Sequence, residues 1–385
     1  MNEYPLRAVL EDVPRVHFYE GGKRCPEDII LPSVMRAIME FWGEKDYGCK
    51  HCLAQNPDCK VLCTYAFLVG ISGAASYLSW KEGWHADNPA IFYMSDDAQA
   101  PERHIFKAIG YEYEWVVKAQ GRDNEALFRR RIAESIQRGV PVLGYGVIGP
   151  LEPSIVAGYD EGGDVLIGWS FFQDASTECE PSGCFRQRDW FGSTDCLLII
   201  GEKVDKPSLE ETCRTALQWM LEVARVPMVR PEPDAPERYR HRRNGLAAYE
   251  AWIEHLLRDG EWPAGDEAVL RAHHQIHNDA VGTVAEARWY GSVFLAQLVE
   301  GFAAGPGKRG TQAEVLHAAA CYAAEHDLMW EVWELAGGIG NAEAYHYMAD
   351  PAVRRAMADI VRQARTQDSQ AAKQIEQALG PLATV

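Results

Sequence analysis

The sequence predicts an α+β N-terminal half followed by an almost wholly helical C-terminal half, and three observations carry that reading. Helical periodicities come first in the chain and strand-like runs follow them up to about residue 200, the order of a segregated α+β domain with an antiparallel sheet. Asp160-Glu161-Gly162-Gly163 separates two apolar runs and is a hairpin signal. From Ser208 onward the strand signal disappears. A chain of 385 residues is long enough for two domains, each with its own core, and the expected division is 1–205 and 206–385.

Pro32 and Ser33 open the first helix. Its Val34, Met35, Ile38, Phe41 and Trp42 recur at helical spacing, and Gly43 ends it. A second helix is expected from Thr64 to Trp80, with Tyr65, Leu68, Ile71, Ala75 and Leu78 on one stripe; Gly70, Gly73 and Ala74 leave it smooth on one side. Strands are expected at Ala90 to Met94, Tyr113 to Val117, Pro141 to Ile148, Ser154 to Tyr159, Val165 to Phe172 and Thr194 to Ile200. A short helix begins near Pro101 and an amphipathic one runs from Asp123 to Arg138. In the second half, Ser208-Leu209-Glu210-Glu211 is a capping box for a helix to about Ala224. The Pro- and charge-rich stretch Val226 to Asn244 reads as a linker or surface loop. Further helices are expected over Leu246 to Leu257, Asp266 to Phe302 and Thr311 to Leu335, and from Asp350-Pro351 to Leu379.

Hydrophobic residues at 47% and charged residues at 24% place the chain among globular proteins. A net charge of −18 repels nucleic acid and anionic membrane, so neither is an expected partner. The short arginine runs at Arg129 to Arg131 and Arg240 to Arg243 read as solvated faces or linker. No stretch approaches the roughly 18 apolar residues of a spanning helix, and the N-terminus has no apolar signal core. A cytoplasmic location is expected. In that reducing compartment ten cysteines point to metal or chemistry more than to disulfides.

Cys49, Cys52, Cys59 and Cys63 lie within fifteen residues, with His51 among them. Cys49 and Cys52 form a C-x2-C that can chelate one ion through both thiolates. Four thiolates, or three with His51, would complete a zinc site, and thiolates equally suit an iron–sulfur cluster. The second pair has x3 spacing, so reduced or redox-paired thiols are the competing reading, and a catalytic cysteine within the cluster is a third. Cys179 and Cys184 flank a Glu-Pro-Ser-Gly turn and read as packing or pairing thiols.

The segment Leu31-Pro32-Ser33 to Gly43, the run Phe67-Leu68-Val69-Gly70-Ile71-Ser72-Gly73 and the strand end Gly158-Tyr159-Asp160 resemble the papain-like fold of bacteriocin-processing cysteine peptidases and the related N-terminal domain of butirosin-H-like acyltransferases. The resemblance covers about residues 25–200, and the helical half is similar to the part that accompanies such domains. In that family a cysteine opens the first helix, where the helix N-terminus stabilises its thiolate. Here Ile30-Leu31-Pro32 stands there. Glu152 and Pro153 occupy the place of the family's histidine, and the orienting Asp or Asn, due near Ser170, is missing. Nucleophile, base and orienter act together, so ordinary peptidase activity is not expected. Cys25, beside Arg24, is a replacement nucleophile to consider, and Glu152 a replacement base; a plain loop thiol is the competing reading for Cys25.

Trp84, His85, Asp96 and Asp97 are candidates to rim a ligand pocket with Glu152, Tyr159 and Trp169. In the helical half His326 falls on an apolar stripe and needs a buried partner, expected to be Glu286 or Asp279. His273 and His277 lie four apart; a satisfied polar network is the simpler reading, because the Glu-x-x-His pair of a bundle metal site is missing. The expected function is a papain-like-fold protein that binds a small molecule or peptide in the residual cleft. The alternatives are an acyltransferase taking thioester donors, including those on acyl carrier protein, and a zinc or iron–sulfur sensor or binding protein.

Overall fold

The structure, a computed structural model, describes residues 4–18, 26–44, 64–88, 93–119, 124–173, 178–230, 240–301 and 308–380. The chain divides into two compact units, Met1–Tyr65 with Phe106–Lys206 and Ala66–Ile105 with Pro207–Val385. The last crossing between them falls between Lys206 and Pro207. Ala66–Ile105, however, groups with the helical half rather than with the sheet.

The first unit is α+β. Helix α1, Ile30–Phe41, buries Leu31, Val34, Met35 and Ile38 on one face, and Gly43 follows with φ +71°. Strands β3 (Tyr111–Val117), β4 (Val142–Tyr145), β5 (Pro153–Asp160), β6 (Val165–Trp169), β7 (Glu178–Cys179), β8 (Phe185–Arg188) and β9 (Cys196–Lys203) form one sheet in the order β3-β9-β4-β5-β6-β8-β7. A short β1, Ala8–Val9, pairs with β5, and every pairing is antiparallel. Helix α4, Glu125–Gln137, lies on this sheet. It buries Phe128, Ile132 and Ile136 against Val142, Val156, Leu166, Leu197 and Ile199, each such side chain contributing about 1.5–3 kcal/mol. The hairpin Asp160 to Gly163 forms as expected, with Glu161, Gly162 and Gly163 all at positive φ. The register of β5 against β6 slips beside Gly168, where any Cβ would strike the Ile155 carbonyl; a glycine allows that close approach.

The expected helix Thr64 to Trp80 is instead three pieces. Helix α2 spans Thr64–Ile71, a 3-10 turn spans Ala74–Ser76, and β2 spans Ser79–Lys81. The break is at Gly73, left-handed at φ +85°, with the Trp219 ring packed where a side chain would be. The expected strand Ala90 to Met94 falls mostly on 89–92, outside the described residues. Helix α3, Ala100–Ile109, begins at the expected proline.

The second unit is helical: α5 (Leu209–Arg225), α6 (Leu246–Leu257), α7 (Glu267–Gly301), α8 (Lys308–Leu335) and α9 (Pro351–Leu379). Ser208 Oγ accepts from Glu211 N at 3.2 Å and Asp350 caps α9 through Ala352 N at 2.7 Å, the caps the sequence signals. Strands do not vanish after Ser208. Arg242–Asn244, read as linker, is β10 and pairs with β2. That pairing, and the close seats of Gly70 on Phe294 and Gly73 on Trp219, tie the early segment to the helices. Its core gathers Trp80, Tyr249, Trp252, Val281, Val284, Met329, Val332, Met357 and Val361. Among the described residues no helix is long and apolar enough to cross a membrane.

Candidate functional site

The residues nominated from sequence fall in both units. In the first, Ile30 begins α1, and the backbone N–H of Ile29 donates to the Tyr65 hydroxyl at 3.0 Å. Glu152 immediately precedes β5; its carbonyl accepts from Gly146 N at 3.3 Å, closing the turn from β4. Tyr159 is buried in β5, its hydroxyl without a hydrogen-bond partner among the described residues. Trp169 is buried in β6; its indole donates to Val13 O at 2.9 Å and Arg15 lies over the ring. Cys25, Cys49, Cys52, Cys59, Cys63 and His51 lie outside the described residues. Among the described residues no group of three His, Cys, Asp or Glu is placed to hold a metal ion. No disulfide joins Cys179 to Cys184 across their turn.

Trp84, His85, Asp96 and Asp97 belong to the second unit. Asp97 accepts from Gln99 N at 2.8 Å and pairs with Arg103; Asp96 accepts from Arg230 N; His85 is exposed and bonded to the Glu82 carbonyl. Trp84 sits in an aromatic and imidazole cluster. It packs edge-on to Trp80 and Trp262 and stacks on His273 with centroids 5.5 Å apart. Its indole donates to Glu261 Oε2 at 2.8 Å, the same carboxylate that His255 Nδ1 meets at 2.8 Å. Gly83 N donates to His255 Nε2 at 3.1 Å, so the ring hydrogen facing Glu261 is on Nδ1. His277, fully enclosed, accepts from Trp252 Nε1 at 3.0 Å, and burial pushes its pKa down to about 3. His273 Nδ1 meets the Glu261 carbonyl at 2.8 Å, so each of the two imidazoles has a polar partner within the helical unit.

His326 is half-buried, and its partners differ from those expected. Nδ1 meets the Ala285 carbonyl at 3.0 Å and Nε2 accepts from Trp330 Nε1 at 3.0 Å. Neither Glu286 nor Asp279 is its partner, because a backbone carbonyl one residue from Glu286 takes the ring hydrogen first. Asp279 bonds Gln275 at 2.7 Å, and burial raises its pKa.

The strongest electrostatic feature was not nominated. Arg288 of α7, Glu325 of α8, Asp368 of α9 and Tyr249 of α6 meet with no exposed surface. Arg288 Nη2 lies 2.6 Å from Asp368 Oδ2 and 2.9 Å from the Tyr249 hydroxyl; Nε lies 3.2 Å from Glu325 Oε2. Nη1 reaches the Ala75 and Tyr77 carbonyls at 2.8 and 3.2 Å. Tyr322 is bonded to Ser76 at 2.7 Å and lies under the guanidinium. Burial raises the Glu325 pKa to about 8, with Arg288 opposing. Nothing local marks these residues. Each is an ordinary polar or charged residue on its helix, and only packing of four helices brings them together.

On the first unit's sheet, a groove of about 550 Å³ runs beside β3, β9 and α4 and carries Glu112, Glu114, Glu134, Arg131 and Arg138, with Tyr113 in its wall. Arg131 bridges Glu114 and Glu134, and Arg138 reaches the Ile200 carbonyl at 3.0 Å. Glu112 is exposed there. No protein-family model matches this chain, and no curated protein matches it either.

Proposed function

We propose that the first unit is a papain-like scaffold without the Cys-His-Asn machinery and that it binds a small molecule or peptide rather than cleaving one. The observation that supports this is the start of α1. Ile30, Leu31 and Pro32 stand where a helix-stabilised thiolate is needed, and the N–H of the preceding Ile29 donates to Tyr65. Helix α1 packs on β5, the strand that begins just after Glu152. A helix of this kind set against such a strand is the arrangement that brings nucleophile and base together in the resembled family, and here neither is present at those positions. The groove over β3 and β9 falls within the size range of small-ligand sites. Its mixed carboxylates and guanidiniums favour a polar, zwitterionic or peptidic occupant.

The test uses the full chain, incubated with an acyl thioester and, separately, with an electrophilic peptide, and read by intact mass. No acyl or peptidyl adduct is expected, while a peptide or metabolite mixture passed over the protein should yield a bound species by native mass spectrometry. A covalent adduct on a cysteine, lost when that cysteine is replaced by Ser, would establish a working thiol enzyme and overturn the reading. Absence of any bound species would remove the binding role.

A further inference from the structure

The centre formed by Arg288, Asp368, Glu325 and Tyr249 contains more acceptors than hydrogens. All five guanidinium hydrogens of Arg288 have acceptors: Glu325 Oε2, Asp368 Oδ2, the Tyr249 hydroxyl, and the carbonyls of Ala75 and Tyr77. That leaves the single hydroxyl hydrogen of Tyr249, yet Tyr249 is in hydrogen-bond contact with both Glu325 Oε1 and Asp368 Oδ2. One hydrogen cannot serve both contacts. With both carboxylates ionised, one contact would be a bare oxygen pair and two anions would face one cation in a dry interior.

We propose that this centre holds one exchangeable proton on the Glu325 carboxyl, and that its loss as pH rises loosens the packing of α6, α7, α8 and α9. With the proton on Glu325 Oε1 every contact is satisfied. Glu325 donates to Tyr249, Tyr249 donates to Asp368 Oδ2, and Arg288 pairs with an ionised Asp368 at 2.6 Å. The buried charges then sum to zero. Asp368 is the ionised member because its Oδ2 lies nearest the cation. Among the described residues its Oδ1 has no partner, so protonation there would leave a buried donor with none of them to receive it.

The titratable groups around Glu325 are Arg288 from α7, Tyr249 from α6, Asp368 from α9, and Tyr322 and Cys321 from its own helix. Burial moves the tyrosines and Cys321 upward as well, so Glu325 is the group that releases a proton first. Its folded pKa, about 8, lies above the unfolded 4.5. The folded state therefore binds the proton more tightly, and stability is fully present below 4.5 and is lost as pH rises through 8.

The experiment follows thermal unfolding of the full chain from pH 5 to pH 9.5 in wild type and Glu325→Gln. Gln keeps the shape, donates to Tyr249 and accepts from Arg288, and carries no proton to lose. Relative to the variant, which keeps His277 and every other titrating group, the wild-type midpoint should fall on the order of 10 °C across the window, so that the variant overtakes it above pH 8. An equal alkaline slope in both would overturn the proposal. If the variant does not fold, infrared spectroscopy of an Asp279→Asn background reads the same proton. Ordinary surface carboxyls are ionised at pH 6.5, so a protonated-acid carbonyl band present there and gone by pH 9.5 supports the assignment, and its absence at pH 6.5 rejects it.

Discussion

Gly73 and Trp219 occupy one space. The glycine, at φ +85°, leaves the volume of a missing Cβ to the indole ring, and the indole Nε1 donates to the carbonyl of the preceding Ser72 at 2.9 Å. The contact ends α2 and turns the chain toward the 3-10 turn that presents Ala75 to Arg288. Gly73→Ala combines about 1–2 kcal/mol of left-handed backbone strain with roughly 1–3 kcal/mol of overpacking. Chemical denaturation should show the midpoint falling accordingly. A change below about 1 kcal/mol would mean that Trp219 is free to move aside.

The same residue shows where sequence reading stops. Gly73 is visible as a small residue in a helical stripe, but the left-handed break depends on a tryptophan about 150 positions away. Elements whose signals are local came through well: α6 runs over the expected Leu246 to Leu257, and the Asp350-Pro351 start of α9 has its cap. β10 was read as linker because its pairing with β2 joins segments about 160 residues apart, and three residues carry too little pattern to show alternation. Asp97, read as a pocket-rim carboxylate, accepts the Gln99 N–H just ahead of α3, a role short polar residues commonly take. Arg288, Glu325 and Asp368 sit on three helices with nothing in their neighbours to connect them.

Acid should act on the helical unit through His277. Burial holds its pKa near 3, below the unfolded 6.5, and His274, half-buried, is shifted the same way. The unfolded chain binds the proton that the folded one refuses, so stability is present above 6.5 and is lost as pH falls from 6.5 toward 3, at up to about 1.4 kcal/mol per pH unit for His277. Stability measured by urea unfolding between pH 4 and 7 should show this slope, and His277→Gln should reduce it while lowering stability at pH 7 through the altered bond to Trp252. An unchanged slope in that variant would assign the acid sensitivity elsewhere.

The described cysteines should differ in reactivity for a simple reason of solvent access. Cys213 is buried on α5, and burial pushes its thiol up to about 12; Cys184 is buried and raised too. The thiolate is the nucleophile, so both should resist alkylation in the native state, whereas Cys179 is exposed. Iodoacetamide at pH 8 with peptide mapping should label Cys179 well before Cys213 and Cys184. Early labelling of Cys213 would show that α5 opens on the timescale of the reaction.

Glu261 binds the aromatic cluster together, and its removal separates two effects. One carboxylate receives the Trp84 indole at 2.8 Å, His255 Nδ1 at 2.8 Å and Arg258 at 3.3 Å. Glu261→Ala leaves the buried His255 N–H unmet, at about 1–3 kcal/mol, and frees the partly buried indole of Trp84. Glu261→Gln keeps an oxygen where both donors meet Oε2, so its loss should be smaller than that of Ala. Because Trp84 stacks on His273 and packs edge-on to Trp262, a loosened ring should also change the tryptophan fluorescence of the folded protein. Both variants should therefore shift the emission and the unfolding midpoint together. Equal midpoints for Ala and Gln would show that the ring packing, not the shared carboxylate, holds the cluster in place.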